Sequence, residues 1–245
     1  YAIKLLKDNG YKVDIHLMPN LPGSSYELDK KMLESSLYDE RLQVDQYKIY
    51  PTAIVPWTQI KTWYEEGSYV PYDDYLLFEL IKEFKKNVQK WKRLNRIIRD
   101  IPSTYISGGY KDKYVNMRQL LQDDMKKNNW CCNCIRCREV KDNSVNINDI
   151  RIDIEKYKGS SGDEYFISLV TDKYLIGFIR LRLIKYENKD NMEREQLSVL
   201  HGSALIRELH IYSNMSDVGN NVENSYQHKG YGKKLLKTAE SQLQA

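Results

Sequence analysis

No stretch of 18 consecutive apolar residues occurs in these 245 residues. A transmembrane helix is thereby excluded, because about 20 apolar residues are needed to cross the hydrocarbon layer. No basic-then-apolar leader with a small-residue cleavage site is visible either. Cysteine is scarce: four residues, all between Cys131 and Cys137. Spacing that tight cannot staple distant parts of a fold, so a disulfide framework is excluded and a reducing compartment is expected. Phenylalanine is rare too, with 4 against 20 tyrosines. Charge of one sign is missing: 38 Lys and Arg against 34 Asp and Glu leave +4. A sum that small does not specify a nucleic-acid partner, since clustering decides. What remains, 41% hydrophobic and 29% charged, is the composition of a soluble globular chain of one large or two small domains.

Tyr1 stands first, and Ala2–Lys7 reads as helix with Gly10 as its stop. Gln244 and Ala245 continue a helical pattern at the other end. Both ends look cut, and the expectation is a piece of a longer polypeptide. Val13, Ile15 and Leu17 alternate as a strand, broken by Pro19-Asn20-Leu21-Pro22-Gly23. Ser24 with Glu27 suggests a capping box before the apolar Leu28, Met32 and Leu33. Gln46–Tyr50 is a second strand, ended by Pro51. Strand, loop, helix, strand predicts a βαβ unit in a parallel sheet. Asp73 is a predicted helix cap, and Leu76, Leu77, Leu80, Ile81, Phe84, Val88 and Trp91 form a helical stripe that reads as core. Lys85, Lys86, Lys90, Lys92, Arg93, Arg96 and Arg99 make a basic run around Trp91. Most such runs are solvated faces; phosphate contact is the sharper alternative.

Further on, Arg151–Ile154 alternates, and Tyr165–Val170 with Tyr174–Ile184 predicts an antiparallel pair joined by Asp172-Lys173. Met192–Gln196 reads as a polar excursion and Leu205–Tyr212 as the next strand. Meander followed by helix is an α+β order. The cysteines read Cys131-Cys132-Asn133-Cys134-Ile135-Arg136-Cys137. Thiolates two or three residues apart reach one tetrahedral zinc ion without strain, and Arg136 and Arg138 offset their charge. Four buried, inert cysteines in seven positions is the plainer alternative. A redox pair is the weaker one, because no thioredoxin-like strand precedes the motif.

The stretch Tyr226-Gln227-His228-Lys229-Gly230-Tyr231-Gly232 carries the most chemistry. It reads Gln-x-x-Gly-x-Gly and opens an amphipathic helix with Leu235, Leu236, Ala239 and Leu243 on one face. A glycine loop entering a helix presents unpaired backbone N–H groups to an anion, and Lys229, Lys233 and Lys234 add charge. A glycine loop before an ordinary surface helix is the bland alternative. Glu208 and His210 lie on one side of the preceding strand and are candidates for proton transfer. A histidine packed at a sheet edge is the plainer reading of His210.

Strand, loop and helix together resemble the acetyl-CoA site of GNAT acetyltransferases. Arg207-Glu208-Leu209-His210-Ile211-Tyr212 with the glycine loop resembles one family more closely: the catalytic subunit of the Elongator complex, a radical-SAM protein fused to an acetyltransferase. Gly10-Tyr11-Lys12-Val13, His16-Leu17-Met18-Pro19-Asn20-Leu21-Pro22, Lys48–Thr52 and Arg99-Asp100-Ile101-Pro102 are similar to the last repeats of its barrel. The likeness runs over roughly residues 9 to 240.

The resemblance implies an α/β fold: the C-terminal part of a radical-SAM, partial TIM-like barrel, then a partial GNAT domain. Expected boundaries are 1–125 for the barrel part, 126–145 for a zinc junction and 146–245 for the acetyltransferase part. It implies zinc on Cys132, Cys134 and Cys137, with Cys131 as a fourth candidate. It implies acetyl-CoA held by Gln227, Lys229, Gly230, Tyr231, Gly232 and Lys233, with the backbone of Glu208, Leu209, His210 and Ile211 pairing with the pantetheine arm. The family's S-adenosylmethionine (SAM) and 4Fe-4S cluster belong to cysteines upstream of this stretch, so these residues alone are expected to be inactive. The implied reaction is carboxymethylation of the wobble uridine of tRNA. Lys90, Lys92, Arg93, Arg96 and Arg99 are the candidate tRNA contacts, and other Elongator subunits or a second copy are further partners. A cytoplasmic or nuclear location and no membrane contact are expected. Protein lysine acetylation and a non-catalytic tRNA-binding module are the rival functions.

Overall fold

The computed structural model describes residues 1–98, 101–110, 114, 116–184, 197–212, 226 and 229–243. It forms two compact units, neither continuous in sequence. One is Asp14–Asp39 with Val44–Cys134; the other is Tyr1–Val13, Glu40–Gln43 and Ile135–Ala245. The N-terminal helix α1 (Ala2–Asp8) therefore groups with the C-terminal sheet and not, as expected, with the barrel part.

The first unit is a parallel sheet of β1 (Asp14–Leu17), β2 (Gln46–Ile49) and β3 (Arg93–Ile97), in that order. Helix α2 (Tyr26–Tyr38) joins β1 to β2; α3 (Gln59–Glu65) and α4 (Asp74–Asn87) join β2 to β3; α5 (Met117–Lys127) follows. Ser25 rather than Ser24 caps α2, its Oγ accepting from the Leu28 N–H at 3.3 Å, while Ser24 Oγ donates to Asp29. Asp73 caps α4 as expected, accepting from Tyr75 N–H at 2.7 Å. Helix α4 stops at Asn87, so Trp91 lies outside it, and β3 occupies the basic run.

Alternation on β2 separates two environments. Tyr47 and Ile49 are fully buried with Leu33, Leu37, Leu77, Leu80 and Phe84 of α2 and α4. Gln46 and Lys48 face the other way. There the Lys48 ammonium lies 3.2 Å from both Asp14 Oδ2 and His16 Nε2, and Asn95 Nδ2 donates to Asp14 Oδ2 at 3.0 Å.

The second unit is an antiparallel meander, β4 (Arg151–Gly159), β5 (Gly162–Val170), β6 (Leu175–Ile184) and β7 (Ala204–Ile211), with the short α6 (Ile135–Arg138) before it and α7 (Tyr231–Ser241) after it. Among the described residues β4 and β7 are the two edge strands of this sheet. One face packs on α7: Tyr165, Ile167, Leu169, Ile179 and Leu181 enclose Leu235 and Ala239. Leu243, expected on the same helical face, is 49% exposed. Met192–Gln196 lies outside the described residues.

The opposite face is charged and buried. Glu164 Oε1 accepts from Lys7 Nζ at 2.6 Å and from Arg182 at 2.8 Å. Its Oε2 accepts from Arg207 and from Tyr157 Oη. Asp8 accepts two N–H groups of the same Arg182. All five charged side chains of this cluster are fully buried. A bulge in β7 makes the geometry possible. Arg180 opposes Glu208 and Leu181 opposes Ile206, so Arg207 is the extra residue.

The β4–β5 hairpin serves the same cluster. It turns on Ser160 and Ser161, both at positive φ (50° and 66°), as a two-residue primed turn requires. Serine is strained there, and the turn is held from outside: Ser160 N–H and Oγ donate to the carbonyls of Glu40 and Arg41, and Arg182 donates to the Ser160 carbonyl. A Cβ on Gly162 would stand 2.8 Å from the Arg182 guanidinium carbon, so glycine is needed for that close approach.

Removing one partner of a buried ion cluster strands the others. Glu164→Ala should therefore destabilise the protein by about 3–5 kcal/mol, read as a shift in the urea midpoint. A loss under about 1 kcal/mol would mean that water reaches the three cations.

Candidate functional site

Three places hold the residues singled out by sequence. The first is the start of α7. Gly230 is its N-cap at φ 79°, left-handed, with no side-chain cap. A Cβ there would meet nothing within 4 Å, so the requirement for glycine is conformational and not a matter of space. The first helical bond runs from Lys234 N–H to the Gly230 carbonyl. The N–H groups of Tyr231, Gly232 and Lys233 are therefore those that helix geometry leaves without an intrahelical partner. Lys229, Lys233 and Lys234 are exposed. Tyr226 anchors the loop from below: it is 5% exposed, and its hydroxyl accepts from Val145 N–H at 2.8 Å. Burial raises the phenol pKa of Tyr231. Gln227 and His228 lie outside the described residues.

Strand β7 stands beside this helix start, with a Leu209 methyl 3.9 Å from the Cβ position of Gly232. Glu208 and His210 share the strand face that looks away from α7. Both Glu208 oxygens are engaged, one by Lys12 at 3.0 Å and the other by Arg180 at 2.9 Å. Two charge-assisted bonds fix this carboxylate in the sheet. His210 is exposed and lies 4.3 Å, centroid to centroid, from the Tyr212 ring. Glu208 is thus held in the sheet by two cations, and His210 is the exposed member of the pair.

The second place is the cysteine run. The sulfurs of Cys132, Cys134 and Cys137 all lie within 4.8 Å of one another. Zinc–sulfur bonds of about 2.3 Å in a tetrahedron put sulfurs about 3.8 Å apart, so these three fit one ion. Cys132 and Cys134 are buried, whereas Cys137 and Cys131 are exposed, and Cys131 is not part of the triplet. Just upstream, Trp130 Nε1 donates to Asp124 at 2.7 Å. That bond, with Lys82 nearby, holds the Asp124 carboxyl below its usual range.

The third place is the basic run, and here the expectation from sequence needs correcting. Lys92 is fully buried; its ammonium donates to the carbonyls of Ser36 and Leu37 and to Tyr47 Oη at 2.9–3.0 Å. It cannot meet a phosphate. Lys85 is buried as well. Arg93 Nε donates to Asn95 at 2.8 Å, Lys90 is half-buried, and Arg96 is exposed. Arg99 lies outside the described residues. Lys85 and Lys92 are buried, whereas Arg93 and Arg96 stand opposite Gln46 and Lys48 on the other side of the sheet, so the run does not form one stripe.

Arg96 does reach a site that the sequence alone did not reveal. It lines a cavity of about 440 Å³ with His16, Met18, Tyr50 and Val55, at the C-terminal ends of the parallel strands. Ligands of open parallel α/β sheets bind at that end, which is the signal that βαβ periodicity could have supplied.

The chain thus joins a parallel βαβ sheet with a cavity at its C-terminal ends, a tri-cysteine cluster and an antiparallel sheet whose edge strand lies beside a glycine-capped helix. Residues 44–127 match the Radical_SAM C-terminal domain family. The archaeal Methanocaldococcus infernus Elp3, solved with an N-terminal deletion, superposes with a TM-score of 0.80 at 35% identity, covering 98% of this chain and 56% of that one. The tRNA uridine(34) acetyltransferase of Methanocaldococcus jannaschii is 38% identical over 98% of this chain and 44% of its own length. Elongator complex protein 3 of Homo sapiens is 30% identical over 98% and 43% respectively. The chain is a homologue of the tRNA uridine(34) acetyltransferases and of Elongator complex protein 3 along nearly its whole length, and it spans somewhat under half of those two relatives. No helix of the described residues is long and apolar enough to cross a membrane.

Lys92→Met should lower stability by about 1–3 kcal/mol through its stranded carbonyl partners. It should leave the salt dependence of RNA binding unchanged. A shallower salt slope would return Lys92 to the phosphate contacts.

Proposed function

We propose that this chain is the part of a tRNA-modifying acyltransferase that binds acetyl-CoA and presents it for modification of the wobble uridine, by carboxymethylation. The observation that carries this reading is the left-handed Gly230 cap beside the edge of β7. The N–H groups of Tyr231, Gly232 and Lys233 would hold the pyrophosphate, with Lys229 and Lys233 adding charge. The outer edge of β7, Glu208 to Ile211, would pair with the pantetheine amides as an added strand. His210 faces the side on which Phe178 and Tyr212 stack and is the residue we assign to proton transfer. Glu208 fixes β7 to β6 through Arg180.

SAM and the 4Fe-4S cluster of the radical-SAM family would supply the radical chemistry in the complete protein. Cys132, Cys134 and Cys137 would hold zinc, a structural ion that ties six residues of chain into one rigid turn. The partners are tRNA and acetyl-CoA, with other Elongator subunits or a second copy as further candidates.

Two measurements test this reading. Metal analysis of folded, reduced protein should find one zinc per chain, lost in Cys134→Ser; zinc-free folded protein would refute the assignment. For the cofactor, Gly230→Glu in the full-length protein should abolish acetyl-CoA binding in calorimetry. Gly230→Asn, which tolerates the left-handed conformation, should keep most of it. Normal binding by Gly230→Glu would reduce the loop to a structural turn.

A further inference from the structure

Trp57 is 91% exposed, the most exposed of the large apolar side chains described, and its backbone sits at φ 62°. Each property alone is uncommon. A bulky residue at positive φ is a conformational outlier, and an isolated indole gains nothing from facing water. Strain of this kind persists only where the surroundings hold it, and such places cluster at functional sites.

The surroundings do hold it. Thr58 Oγ1 donates to the Val55 carbonyl at 2.8 Å and closes the turn whose apex is Trp57. Ile54 exchanges backbone hydrogen bonds with the 107–108 segment at 2.7–2.8 Å. Thr52 donates through both its N–H and its hydroxyl to the Pro19 carbonyl. The loop from Tyr50 to Thr58 is therefore a braced platform. The same loop also contributes Tyr50 and Val55 to the wall of the 440 Å³ cavity that contains His16, Met18 and Arg96. His16 meets Tyr50 edge-on at 5.4 Å. One loop thus lines a cavity and lifts an indole into solvent two residues beyond the cavity wall.

We infer that Trp57 is a stacking platform for an unpaired nucleobase of single-stranded RNA, placed beside the nucleotide that enters the neighbouring cavity. The inference rests on the tRNA-modifying reading above and adds to it a residue and a binding mode. The chemistry favours RNA over a protein partner. An apolar docking surface needs a contiguous patch, whereas Trp57 presents one flat ring at a strained apex. Stacking on a base needs only that ring, because every base has a π-face. The cavity beside it offers an arginine, an imidazole and an aromatic ring, a combination suited to a base edge and its phosphate. A base flanking the reacting uridine would be held splayed from its neighbour, and the uridine would enter the cavity already unstacked.

The test uses the full-length protein and a seven-nucleotide single-stranded RNA with 2-aminopurine next to a central uridine; the same strand annealed to its complement is the control. Wild-type protein should bind the single strand and change the 2-aminopurine fluorescence. Trp57→Ala should weaken single-strand binding about tenfold and abolish the fluorescence change. Trp57→Phe should restore most of both, and binding to the duplex should not move. Circular dichroism of Trp57→Ala should match wild type, since an exposed ring contributes little to folding. Wild-type binding with an unaltered Trp57→Ala overturns this inference alone, leaves the tRNA reading standing and makes protein docking the use of the ring. No binding of either RNA by wild type overturns both.

Discussion

Glu164 is the residue on which the C-terminal unit turns. One buried carboxylate meets Lys7, Arg182 and Arg207, and Asp8 completes the cluster through Arg182. Taking charges out of water costs several kcal/mol per ion unless each finds partners. That requirement propagates outward. Arg182 needs the carbonyls of Gly159 and Ser160, which forces a strained serine hairpin and a glycine at 162. Arg207 needs the bulge in β7. The bulge sets the register that brings Glu208 opposite Arg180, and from there the strand edge follows. The candidate cofactor edge is thus a distant result of balancing charges on the opposite face from α7.

The same strand separates two kinds of work. Ala204, Ile211 and the α7 core supply apolar burial on one side. Glu208 and His210 share the other side, yet their environments differ sharply. Two cations fix the first, and aromatic rings flank the second. Residues two apart on a strand share a face by geometry, but what they can do is set by neighbours that are far away in sequence. Lys12 is 196 residues from Glu208.

What was readable from sequence follows from this. The βαβ order, the Asp73 cap, the meander and the glycine-capped helix rest on local signals, and each appears within a few residues of its expected place. The tri-cysteine cluster was readable for the same reason. Strand β3 was missed because Lys92, Arg93, Asn95 and Arg96 mask its alternation; Lys92 is buried only because three oxygens from α2 and β2 meet its ammonium. The setting of Glu208 depends on Arg180 and Lys12, 28 and 196 residues away, and the grouping of α1 with the second unit on Glu164, 157 residues from Lys7; no local pattern encodes them. The cavity at the strand ends escaped because it is assembled from three separate loops and strand ends.

Lys7 and Glu164 are separated by 157 residues. During synthesis α1 leaves the ribosome long before its partner exists, by roughly 10–30 s at ordinary elongation rates. Helix α1 carries Ile3, Leu5 and Leu6 through that interval, and beside them Lys4, Lys7 and Asp8 present charges that water solvates well until the sheet arrives. Choosing ions rather than further leucines for this long-range contact keeps apolar surface off the early helix, at the cost of a contact that yields little until its last member is in place.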